Sequence, residues 1–148
     1  MKVVIADSSC LILFTNIGRL EILRQLFGEI WITNRIKNEY GLDLPSFVSV
    51  HDPIDTGRVQ ALSLLLDSGE ASAVSLAVET PNCQIIIDEK KGRRIALALG
   101  LEVTGSVGVL IEASAKEFIK PDSALIDELD RRGFRLSPVL KEMLLRQG

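Results

Sequence analysis

The chain has 148 residues, 47% hydrophobic and 25% charged, with a formal net charge of −3. That length suits one domain over residues 1–148 with a substantial core, and the composition is that of a globular protein, not a disordered or fibrous one. The acidic balance argues against a protein that coats nucleic acid through a basic surface; two cysteines argue against a disulfide scaffold, and no apolar run reaches the ~20 residues of a membrane helix.

Residues 3–6 form a short β-branched run that predicts a buried strand of a parallel sheet. Asp7, Ser8 and Ser9 interrupt the apolar start and no small-residue cleavage site follows, so a secretory leader is not expected and the location is expected to be cytoplasmic. Ser8 or Ser9 is expected to cap a helix through residue 16. A second helix over 18–27 carries Leu20, Ile22, Leu23 and Leu26 on one face and stops at Gly28. Residues 29–32 predict a strand, and Thr33 or Asn34 caps a helix through Tyr40. After a loop at Gly41 and Pro45, residues 47–50 are a short extended piece. Two helices follow over 56–66 and 69–79, then a strand over 84–87, a helix over 89–99 closed by Gly100, and a strand over 101–103. Helices over 106–118, 123–132 and 138–146 complete the chain. Alternating strands and helices imply an α/β fold, a three-layer α/β/α sandwich around a central parallel sheet. The cysteines, Cys10 and Cys83, are expected to be buried small hydrophobes.

Two aspartates stand directly after apolar strands: Asp7 after Ala6 and Asp88 after Ile85-Ile86-Ile87. Parallel sheets bind ligands at the carboxyl ends of their strands. Two carboxylates delivered to that edge repel each other unless something positive lies between them, and a divalent metal answers that need. The bland alternative is that each aspartate only caps the next helix. Glu70 opens a helix among small residues in Gly69-Glu70-Ala71-Ser72-Ala73, where an acidic side chain can reach a neighbouring strand end, although dipole complementation is the commoner reason for such a residue. Glu39 is the weakest candidate, because helical glutamates are usually only solvated. Behind Asp88 stand Lys90, Lys91, Arg93 and Arg94. They oppose the helix dipole, which suggests contact with phosphates, or else a solvated helix face. His51 is the only histidine, so histidine zinc sites and Ser-His-Asp triads lack parts. No glycine-rich phosphate loop is present. Carboxylates with hydroxyls and water favour Mg²⁺ or Mn²⁺.

Ala6-Asp7-Ser8-Ser9, Glu39, Gly69-Glu70-Ala71-Ser72-Ala73, Asp88 with Gly92-Arg93-Arg94, and Thr104-Gly105-Ser106, in this order, resemble the PIN-domain ribonucleases over nearly the whole chain. The likeness is to a compact prokaryotic subgroup. The resemblance implies a parallel sheet with helices on both faces and an acidic site of Asp7, Glu39, Glu70 and Asp88 holding Mg²⁺ or Mn²⁺. It makes Ser8 and Thr104 or Ser106 supporting residues. Glu70 departs from the commoner aspartate, and its longer arm moves the carboxylate outward. The activity implied is endoribonuclease cleavage of single-stranded RNA, steered by Lys90, Lys91, Arg93, Arg94, Arg35 and Lys37. Many such proteins are homodimeric toxins neutralised by a small antitoxin. Wide apolar runs at Leu62, Leu64, Leu65 and Leu66 and at Leu140, Met143, Leu144 and Leu145 agree with a homodimer interface. Two rival functions use the same cluster: a binding module without catalysis, and a DNA-directed nuclease or phosphatase.

Overall fold

The computed structural model describes residues 2–134 and 136–147. Five strands, β1 (Val3–Ala6), β2 (Ile30–Ile32), β3 (Val48–Val50), β4 (Cys83–Ile86) and β5 (Glu102–Thr104), form one parallel sheet in the order β3-β2-β1-β4-β5. Helices cover both faces, giving the expected three-layer sandwich. Among the described residues they are α1 (Ser8–Asn16), α2 (Glu21–Phe27), α3 (Asn34–Tyr40), α4 (Thr56–Leu62), α5 (Ser68–Glu79), α6 (Lys90–Ala98), α7 (Ser106–Ala115), α8 (Ser123–Arg131) and α9 (Pro138–Gln147). None is long and apolar enough to cross a membrane.

The central strands β1 and β4 pair in the register Val3↔Cys83 to Ala6↔Ile86. Val4, Ile5, Ala6, Ile85, Ile86 and Ile87 are all buried, as strands covered on both faces must be. Each such isoleucine stabilises by roughly 1.5–3 kcal/mol on burial. Chain direction reverses beside β1: the first three strands step one way, and β4 and β5 the other. The crevice at the carboxyl ends of β1 and β4 is therefore the place where a doubly wound sheet accepts a ligand.

Several expected boundaries shift. The extended piece at 47–50 is a full member of the sheet, β3 at its edge, with Ile30↔Val48 to Ile32↔Val50 in register. The helix expected over 56–66 ends at Leu62, where the Ser63 hydroxyl donates to the Val59 carbonyl and competes with helix continuation. Leu64 and Leu65 thus lie in an exposed turn, not on a helix face, while Leu66 is buried. The helix expected over 106–118 ends at Ala115. Cys10 is buried as expected, but Cys83 is half-exposed at the start of β4. The α1 cap moves: Asp7, not Ser8 or Ser9, accepts from the Cys10 amide. Of the two residues expected to cap α3, Thr33 does so.

Candidate active site

Asp7 and Asp88 meet at the carboxyl edge of β1 and β4. Asp7 Oδ1 accepts from the Cys10 amide at 2.9 Å, and Oδ2 accepts from the Asp88 amide at 3.1 Å. Asp88 does not cap α6; Glu89 does, accepting from the Gly92 amide. Instead Asp88 Oδ1 accepts from the Ser106 amide and Oδ2 from the Ser106 hydroxyl, both at 2.6 Å. Gly105 permits this approach. A Cβ there would stand 3.2 Å from Asp88 Oδ1, tighter than ordinary contact. The simple capping role therefore holds for Asp7 and fails for Asp88.

Ser9 bridges the pair. Its hydroxyl lies 3.2 Å from Asp7 Oδ2 and 2.9 Å from Asp88 Oδ2. One hydroxyl proton cannot satisfy both carboxylates. Asp7 is only 5% exposed. Burial, and then the Asp88 charge, push its carboxyl up to about 7 against bonds from Cys10, Asp88 and Ser9 that favour ionisation. Burial and mutual repulsion thus oppose full ionisation of the pair, a cost that a divalent cation would offset.

Glu39 and Glu70 stand beside this pair without closing on it. Glu39 Oε2 accepts from the Ser8 hydroxyl at 2.8 Å, and Oε1 lies where a Cβ on Gly69 would be, 1.9 Å away. Glu70 lies over Gly92 of α6, 3.3 Å from where a Cβ would stand. Burial, and the neighbouring Asp67 and Glu89 carboxylates, push Glu70 up to about 7. Gly69 and Gly92 are therefore the small residues that make room for two carboxylates. Gly69→Ala is expected to turn Glu39 out of its place. Because the Glu39 side chain is exposed and flexible, the melting temperature should move by no more than the few degrees of a surface change, while any metal-dependent activity should drop at least tenfold. Unchanged activity in a folded Gly69→Ala protein would show that Glu39 takes no part.

Among the described residues, no three acidic, histidine or cysteine side chains stand close enough to hold one ion by themselves. The donor set still fits Mg²⁺ or Mn²⁺, which are commonly held by one or two carboxylates and several waters, unlike an all-protein zinc cage. Asp7 and Asp88 would hold such an ion, with Glu70 and Glu39 reaching it through water. His51 offers nothing to it: its ring stacks on Trp31 at 3.7 Å between centroids, and Nε2 bonds Ser49 Oγ at 2.9 Å.

A family model described as a PIN domain matches residues 3–148. The chain belongs to the PIN-domain family. No curated protein matches it. PIN domains are in general nucleases, hydrolases that use divalent metals. In this PIN domain the supporting residues divide unexpectedly. Ser8 serves Glu39, and Ser9 serves the aspartate pair. Ser106 holds Asp88, whereas Thr104 turns its hydroxyl toward Gly108, with Oγ1 2.6 Å from where a Cβ would be. Ser9 was legible only as one of two hydroxyls after Asp7, since which of them faces β4 depends on the first turn of α1. Cys10 lies buried beneath the pair. Burial and the two aspartates push its thiol up, so it is no nucleophile.

The cations of this PIN domain also separate into groups. Lys2, Arg24, Arg58, Lys116, Arg131, Arg132, Lys141 and Arg146 pair with carboxylates. Among the described residues none of Arg35, Lys37, Lys90, Lys91, Arg93 and Arg94 does so, and all six are exposed. Lys90 and Arg93, three apart on α6, line a cleft beside Asp88. Lys91 and Arg94 do not line it. Arg35 stands near Asp52, which bonds from Asn34 and the Arg35 charge hold below its ordinary value. Lys37 shares α3 with Glu39.

Proposed function

We propose that this PIN domain is an Mg²⁺- or Mn²⁺-dependent endoribonuclease that hydrolyses phosphodiester bonds of single-stranded RNA. The observation that carries this reading is the Asp7–Asp88 pair at the sheet's reversal point, with Asp7 buried and its ionisation opposed by the neighbouring Asp88 charge. Asp7 and Asp88 would hold the ion, and Glu70 and Glu39 would act through water. When bound, such an ion acidifies water and offsets the charge of a phosphate. Ser9 and Ser106 keep the two aspartates oriented. Lys90 and Arg93 draw the backbone to the edge, and Lys91, Arg94, Arg35 and Lys37 extend the attraction.

The test is cleavage of single-stranded RNA with Mn²⁺ and with excess EDTA, beside single-stranded DNA and a phosphate monoester. Cleavage of RNA is expected only with the metal, and chelation should reduce it at least a hundredfold. Undiminished cleavage in EDTA by protein free of contaminating nuclease would sink the reading. Preference for DNA or the monoester would replace RNA by those substrates. A second reading, a binding module without catalysis, is favoured by one observation: no three acidic groups converge on a common point among the described residues. It expects no Mn²⁺ shift in melting temperature.

The resemblance to compact prokaryotic PIN toxins supports a cytoplasmic toxin held by a small antitoxin protein. It also supports a homodimer. Leu64, Leu65, Val139 and Leu145 are at least 48% exposed, apolar surface that an interface would bury. Light scattering should give about twice the 16.2 kDa chain mass, and a monomer at high micromolar concentration would refute the dimer.

A further inference from the structure

A cleft of about 720 Å³ opens beside Asp88 between β5, α7 and the chain that follows α8. Its size lies in the range of small-ligand sites. The floor is apolar, built from Val103, Val107, Ile111 and Leu140, and Lys90 and Arg93 stand on the wall nearest the carboxylates. Phe134, half-buried, lines the cleft as well and also borders a smaller hollow of about 290 Å³ lined by Ser9 and Asp88. One aromatic side chain thus lines two spaces, each touching Asp88.

The backbone that carries the ring is fixed by helix-end geometry. α8 ends in a left-handed residue, Gly133 at φ +85°. The Gly133 amide donates to the Asp130 carbonyl at 3.1 Å and the Phe134 amide to the Leu129 carbonyl at 3.0 Å. This paired closure is the Schellman turn, in which the residue after the glycine is held against the helix it terminates. A backbone placed this way has lost its freedom before any ligand arrives.

Phosphates need the cations, and an apolar cleft does not bind them. What joins both needs is a nucleotide: a flat, partly apolar base carried on a charged backbone. A base in a duplex is already stacked and paired, whereas a single strand can turn one out onto an aromatic platform. We propose that this cleft is a base-binding subsite, in which Phe134 stacks on the nucleobase next to the phosphate that Lys90 and Arg93 hold beside the carboxylate edge. The inference rests on the nuclease reading and adds a source of single-strand preference to it.

The test is fluorescence anisotropy in EDTA at low salt, so that no cleavage intervenes. The probes are a labelled single-stranded RNA octamer and an octamer of the same backbone without bases. The wild type should bind the base-bearing octamer roughly 5- to 100-fold more tightly, the range expected of stacking on one aromatic ring. Phe134→Ala should lose that preference and bind the baseless octamer as the wild type does, and Phe134→Tyr should retain it. Val107→Trp, which fills the cleft and removes nothing from the core, should lose it too, with the wild-type melting transition kept. Retained preference in both Phe134→Ala and Val107→Trp overturns the subsite. Equal binding of the two octamers by the wild type, or binding of neither, overturns the subsite and leaves the nuclease reading to its own cleavage test.

Discussion

Asp88→Asn should abolish most of the rise in melting temperature that Mn²⁺ gives, remove metal-dependent cleavage, and leave the metal-free protein as stable as the wild type or more so. The geometry says why one atom exchange has opposite effects on the two states. Asparagine keeps Oδ1 for the Ser106 amide, now 2.6 Å from Asp88 Oδ1. The Ser106 hydroxyl can turn and accept from the new amide, and Ser9, relieved of one of two carboxylates, can donate to Asp7 alone. Removing the charge also lifts one of the two causes that resist ionisation of Asp7. We expect a gain of roughly 0.5–2 kcal/mol without metal, the usual return from relieving an unfavourable site. Binding to the native state is what raises the melting temperature, so losing a ligand loses the rise. Asp7→Asn should not share the gain, because its amide would point at the Asp88 N–H, donor against donor, in a buried place. Melts of wild type and both variants, in EDTA and in Mn²⁺, check this. An identical Mn²⁺ shift in wild type and Asp88→Asn removes Asp88 from the site.

Metal-free stability should fall as pH rises from 5 to 8, the reverse of ordinary acid denaturation. Asp7 and Glu70 sit at about 7 in the folded chain against ordinary values of 3.8 and 4.5. Below about pH 4 both states hold these protons and no penalty exists. Between about 4 and 7 the unfolded chain has released them and the folded chain has not, so stability declines with pH. Above about 7 the folded carboxylates are ionised and the full penalty stands. For buried Asp7 this is on the order of 2–4 kcal/mol. Glu70, more open to solvent, adds less with the same sign. Asp52 and Glu128, whose carboxyls lie below their ordinary values, have the opposite dependence, but they act below about pH 5. Mn²⁺ competes with the protons, so its stabilisation should grow over the same interval. Denaturant midpoints at pH 5, 6, 7 and 8 decide it. A flat or rising profile in EDTA contradicts the buried carboxylate.

Much of this site could be read from residue order. The strands carrying Asp7 and Asp88 are β-branched runs that only a doubly covered parallel sheet accommodates, so the aspartates had to arrive at one edge. What could not be read depends on rotation and distance. Whether Ser8 or Ser9 faces β4 is set by the first turn of α1, about 100° between successive residues on a helix. Asp88 could have been a cap; that Glu89 takes this task depends on a turn one residue longer than the strand run suggests. Gly69 and Gly92 carry no chemistry in a sequence, yet each leaves room for a carboxylate of another element. Phe134 was silent because it stands 46 positions from Asp88, brought back by a helix end. Helix α4 stopped early because a serine hydroxyl competed for its backbone, a contest that apolar periodicity does not register.

Asp7 and Asp88 are 81 positions apart in the chain. Their meeting depends on β1–β4 pairing, a long-range closure without help from local contacts. The repulsion between the two carboxylates grows only as that closure is completed. An ion that needs both of them cannot assist the search for the fold, since no earlier species presents them together. It acts on the finished structure, which makes it a brake on unfolding with little influence on the rate of folding. A fragment ending before residue 88 carries three of the four carboxylates and none of this assembled edge. The paired carboxylate edge is therefore absent from the growing chain until its second central strand is in place.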